Sequence, residues 1–84
     1  MYEEINEPID VIALFTEHGQ LRPYRFRWKS GAFRISKVIS TWKVAEVPHL
    51  KVHFSVKAQS PDYFELVFDT EKLTWELARI SLPG

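Results

Sequence analysis

Cysteine is missing altogether from this chain, which excludes a disulfide framework and every cysteine-ligated zinc or redox site. No run approaches the ~18 consecutive apolar residues of a membrane-spanning helix. Glycine is scarce and scattered, at positions 19, 31 and 84, so no glycine-rich loop is available to cradle a phosphate. Net charge is also absent: the formal sum is +0 and the pI is about 6.8. That argues against a strong global attraction to nucleic acid or to a membrane surface. The start, Met1-Tyr2-Glu3-Glu4, is acidic where a secretory signal would be basic. A cytoplasmic protein with no membrane partner is the expectation.

What is present is aromatic and alternating. The 84 residues are enough for a single domain spanning 1–84. Trp, Tyr and Phe make up 14% of them, and each such ring can bury roughly 150–250 Å². This supply lets a short chain build a core without covalent staples.

Period-2 patterning dominates the chain. Tyr24, Phe26 and Trp28 alternate with Arg25, Arg27 and Lys29, and Leu50, Val52, Phe54 and Val56 alternate with Lys51, His53, Ser55 and Lys57. Both patterns describe strands with one face buried and one wet, the habit of antiparallel sheets. Phe64, Leu66 and Phe68 share a face, as do Leu73, Trp75 and Leu77. Residues 9–16 are apolar on both faces, and Pro8 before them with Gly19 after them would also suit a helix. Their β-branched start favours a strand, with Glu17-His18-Gly19-Gln20 as its loop.

Ser30-Gly31 has the composition of a two-residue hairpin turn, Lys43 to Pro48 reads as a longer loop, and Gln59-Ser60-Pro61-Asp62 breaks the next pair of strands. Asp69-Thr70-Glu71-Lys72 forms the last hairpin loop. Six short strands without a long crossover predict an all-β antiparallel meander, either a strongly twisted sheet or a small SH3-like barrel. Phe33 and Ile35 set an odd apolar phase, whereas Val38, Ser40 and Trp42 are even. One extra residue near Ser36-Lys37, a β-bulge, would reconcile them and bend the sheet toward closure. Without it, Trp42 falls on the face of Arg34.

The zero net charge hides a segregated distribution. Positions 1–17 carry Glu3, Glu4, Glu7, Asp10 and Glu17 with no lysine or arginine. Positions 18–45 carry Arg22, Arg25, Arg27, Lys29, Arg34, Lys37 and Lys43 with no acid. A Ser30-Gly31 turn would set Arg27 opposite Arg34, with Arg25 and Lys29 diagonal to it. Like charges placed opposite each other destabilise a sheet. The candidate site is therefore Arg22, Arg25, Arg27, Lys29 and Arg34, with Trp42 or Tyr24 as a stacking platform. It would take single-stranded nucleic acid or an acidic protein surface. The competing reading is a solvated sheet face neutralised by the acidic first seventeen residues.

Nothing in the sequence advertises an enzyme. It contains no nucleophile elbow and no His-Glu-x-x-His. His49 and His53 flank Lys51 without an evident carboxylate, a poor metal site. No catalytic residue, metal or cofactor is expected, and the domain would act as a monomer or weak homo-oligomer.

The stretch Arg22-Pro23 through Phe26-Arg27-Trp28-Lys29, Phe33-Arg34-Ile35, Val38 and Trp42 resembles a family of small uncharacterised bacterial proteins. Glu7-Pro8-Ile9, Tyr63-Phe64-Glu65-Leu66 and Trp75-Glu76-Leu77 extend the resemblance over most of the chain. At Ser30-Gly31-Ala32 the chain departs from the family, whose glycine stands one place earlier. The resemblance implies a single β domain and an accessory role near error-prone DNA repair polymerases. It implies no catalytic residues.

Overall fold

Two strands here are longer than the usual 3–10 residues, because each serves two sheets. The computed structural model describes residues 1–82. Its strands are β1 (Tyr2–Phe15), β2 (Leu21–Trp28), β3 (Gly31–Glu46), β4 (His49–Ala58), β5 (Tyr63–Asp69) and β6 (Thr74–Ser81). All neighbours are antiparallel, and β1 returns to pair with β6, closing the meander into a barrel. β1 lies against β6 from Tyr2 to Ile9 and against β2 from Asp10 to Phe15. β3 lies against β2 from Gly31 to Arg34 and against β4 from Ile35 to Glu46. A small β1–β2–β3 sheet thus faces a larger β1–β6–β5–β4–β3 sheet across the core. None of the described residues forms a helix long and apolar enough to cross a membrane.

The segment that also suited a helix is strand as far as Phe15, with Thr16 already outside it, and β1 extends back to Tyr2. Its register slips between Glu4 and Glu7, where Asn6 takes a left-handed φ of 53°.

The first hairpin corrects the expected turn. Trp28 pairs with Gly31, so the turn is Lys29-Ser30, with Lys29 at φ 57°. Gly31 sits in the strand instead, where a Cβ would come within 3.2 Å of the Phe33 ring. Its smallness serves packing rather than a positive φ. The ladder moves by two residues, which preserves faces but changes partners. Arg25 now opposes Arg34, Arg27 opposes Ala32, and Phe26 opposes Phe33. The expected Arg27–Arg34 pair does not form. Lys43 to Pro48 is not a long loop either: Glu46 pairs with His49 around a Val47-Pro48 turn.

The bulge expected near Ser36-Lys37 is present, since the β3–β4 register slips between Ile35 and Lys37. Ser36 Oγ donates to the carbonyls of Lys57 (3.0 Å) and Ala58 (3.3 Å), occupying acceptors at the irregular step. A second slip follows between Val38 and Ser40, which the side-chain pattern did not reveal. Two bulges reverse the phase twice. Val38 and then Thr41 and Lys43 share the inner phase with Val56, Phe54 and Val52, while Ser40 and Trp42 face outward.

The core gathers Phe26, Phe54, Val56, Phe64, Leu66 and Leu77, each at most 2% exposed. Phe26 stacks on Phe33 (5.0 Å, 12° between planes) and meets Phe64 edge-on at 5.1 Å. This aromatic trio joins the two sheets. Trp28 and Trp75 pack partly buried at its margin.

Asp69 anchors the β5–β6 turn. Its Oδ1 accepts from the backbone N–H of Glu71 (2.9 Å) and Lys72 (3.0 Å) and meets Nδ1 of His49 at 3.1 Å. These contacts, the Lys72 amide foremost, hold its carboxyl at about 2 against an ordinary 3.8. A depressed folded-state pKa adds stability above the unfolded value, and that contribution vanishes as pH falls through the folded value. Thermal melts of wild type and Asp69→Asn should therefore differ at neutral pH, the variant being less stable. The gap should close as pH falls from about 4 to about 2.

Candidate binding face

The outer surface of the β1–β2–β3 sheet is built in rows across the strands. Asp10 neighbours Arg27, Ile12 neighbours Arg25, and Leu14 neighbours Arg22. Arg25 continues the middle row to Arg34 on β3. A register slip between Ile12 and Ala13 leaves Tyr24 without a partner on β1. It brings Pro23 into the interior and leaves Tyr24 47% exposed. Tyr24 thus departs from the strict alternation with Phe26 and Trp28 that the sequence suggested.

One part of this face is neutralised. Arg27 donates to Asp10 Oδ2 at 2.7 Å, with both side chains largely in solvent, a geometry worth at most about 1 kcal/mol. Glu7 accepts from Trp28 Nε1 at 3.2 Å, and Lys29 Nζ lies 4.7 Å from the Trp28 ring centre. Glu4 reaches away to Arg79. The acidic segment therefore does not cover the hairpin as a whole. Among the described residues, Arg22, Arg25 and Arg34 have no carboxylate within 4.0 Å.

The sequence reading overlooked the apolar half of this face. Ile12 is 63% and Leu14 47% exposed, beside Arg25 and Arg22. Their signal is the two-sided hydrophobicity of residues 9–16. The face is consequently a patchwork of arginine and exposed hydrocarbon rather than a purely basic stripe.

Trp42 does not belong to it. The second bulge places it on the outer surface of the larger sheet, on the order of 25 Å along β3 from Arg34. There it stacks on His53 (5.3 Å, 20°). His53 Nδ1 lies 3.5 Å from Glu65, whose other oxygen is 3.5 Å from Arg79. Arg79 in turn covers the Tyr2 ring at 4.8 Å. The two histidines do have acidic neighbours, Asp69 for His49 and Glu65 for His53, contrary to the sequence reading. Those carboxylates stand on β5, beyond the reach of a local pattern. Glu65 faces Arg79 across the β5–β6 ladder, while Glu76 neighbours Val67.

A cleft of about 730 Å³ opens next to the basic face. The β2–β3 ladder ends at Arg25–Arg34, and the two strands then separate, β2 staying on β1 and β3 on β4. Phe15, Leu21, Val38, Leu50, Val52, Phe54 and Phe68 give the cleft an apolar lining. Arg22 and Lys43 are its charged residues, and no carboxylate lines it among the described residues.

Comparison with known proteins adds no relative: the chain matches no family model, no curated protein and no solved structure.

Arg25 opposite Arg34 is a like-charge pair that a purely structural sheet would avoid. Arg34→Glu should therefore raise the unfolding free energy in urea by about 0.2–1 kcal/mol. A loss of stability would mean that the arginine contributes to folding in some other way.

Proposed function

We propose that the barrel is a non-enzymatic binding module that engages an acidic protein surface through the outer face of its β1–β2–β3 sheet. The observation carrying this reading is the uncompensated Arg25–Arg34 pair flanked by exposed Ile12, Leu14 and Tyr24. Arginine forks recognise carboxylates bidentately and are enriched at interfaces. Neighbouring hydrocarbon supplies the desolvated contact that charge alone lacks.

Protein is favoured over single-stranded nucleic acid by what stands between the arginines. Stacking of successive bases needs a row of aromatic platforms along a basic groove. This face offers Tyr24, while Trp42 is distant and already stacked on His53. Ile12 and Leu14 suit apolar side chains of a partner better than they suit bases. An accessory role beside a DNA repair polymerase, as the sequence resemblance implies, is compatible with a protein partner.

A labelled peptide of about ten residues alternating glutamate and valine and a single-stranded oligothymidylate of similar span test the choice. The peptide should bind at about 50 mM salt, more tightly than the oligonucleotide. The double variant Arg25→Glu, Arg34→Glu should weaken it by about tenfold. Tighter oligonucleotide binding with a steep salt slope up to about 200 mM would assign the face to nucleic acid. Peptide binding that ignores the charge reversal would overturn the reading.

A further inference from the structure

The cleft between β2 and β3 has a property beyond its shape: two strand edges border it. From Leu21 to Pro23, β2 is paired with β1 alone, and from Lys37 to Glu46, β3 is paired with β4 alone. Among the described residues no other backbone hydrogen bond reaches either stretch. Each edge therefore presents main-chain donors and acceptors that an added strand would satisfy.

The edge of β3 is irregular only at its start. Both register slips fall between Ile35 and Ser40, and the ladder with β4 is unbroken from Ser40 to Glu46. The run from Ser40 to Glu46 is as long as an average strand, about 5–6 residues. Beneath it lies the apolar floor of Val52, Phe54 and Phe68. Its volume, about 730 Å³, falls within the roughly 300–1,000 Å³ of established ligand clefts.

Charge selects the occupant. Lys43 on one wall and Arg22 on the other face no carboxylate within the cleft. A lysine guards an edge against a second copy of the same strand, which would bring another Lys43 beside the first. Lys43 stands in the inner phase, on the floor side of the edge, so the cations that meet the outward carboxylates of an added strand are Arg22 and the Arg25–Arg34 row. Alternation within such a strand would send one set of side chains to the apolar floor. The other set would point outward, toward Arg22 and the Arg25–Arg34 row.

We infer that the cleft accepts an extended acidic segment of a partner protein, which pairs main chain to main chain with the Ser40–Glu46 edge of β3. The inference rests on the proposed reading of the arginine face and adds the mode of capture. The segment alternates carboxylate and apolar residues, and it fills the seam that β2 and β3 leave open. Specificity comes from Arg22 and the Arg25–Arg34 row, and affinity from the backbone ladder together with the buried apolar set.

The glutamate–valine peptide provides the test when compared with two isomers N-methylated at every second amide, one in each phase. N-methylation deletes ladder donors and retains every charge and side chain. At least one phase should bind about tenfold more weakly, and Arg22→Glu should weaken the unmodified peptide. Amide resonances of Ser40 to Glu46 should shift on peptide addition. If both methylated peptides bind like the parent, strand addition is wrong, and continued sensitivity to Arg25→Glu, Arg34→Glu would leave the arginine-face reading intact. If the parent peptide does not bind at all, both readings fall.

Discussion

Everything distinctive in this barrel depends on β3 having two sets of obligations. Its first four residues must pair with β2 to seat Phe33 on Phe26, and its remainder must pair with β4 to line the core beside Phe54 and Val56. One straight strand cannot satisfy both sheets, so the chain bends and inserts residues at Ser36 and Ile39. Closure follows from that bend. So does the seam, because β3 can follow β4 only by leaving β2. The outward position of Trp42 has the same origin.

The arginine face shows a second tension, between stability and the proposed binding. Placing Arg25 against Arg34 costs stability, and the nearest acid in the rows, Asp10, is committed to Arg27. Exposed Ile12, Leu14 and Tyr24 add hydrocarbon where a solvated face would carry polar groups. Each feature is mildly unfavourable in the isolated domain. All of them become favourable when a partner supplies carboxylates and covers the apolar atoms. The seam adjoins this face and shares Arg22 with it.

The fold was legible because its information is local. Alternation in Tyr24–Lys29, Leu50–Lys57 and Tyr63–Asp69 declares strands, and the phase conflict between Ile35 and Val38 declares a bulge. Ser40 and Trp42 look like continuations of an inner phase, and only their pairing with Ser55 and His53 shows otherwise. The hairpin misled for a related reason. Gly31 carries a turn signature, but the constraint on it comes from the Phe33 ring. As for the site, the sequence did identify the arginines as a cluster. It could not assign Asp10 to Arg27 or separate Trp42 from the face, and an open edge leaves no mark in composition.

The central claim is that β3 leaves β2 after Arg34 and keeps a free edge from Ser40 to Glu46. Hydrogen exchange of the free protein, resolved by residue, tests it most directly. Amides that point from this stretch toward the seam should exchange on the order of a hundredfold faster than those of Val52 to Val56. Their alternate neighbours, bonded to β4, should be protected. Uniform protection from Ser40 to Glu46 would mean that the edge is already covered, and it would contradict the account.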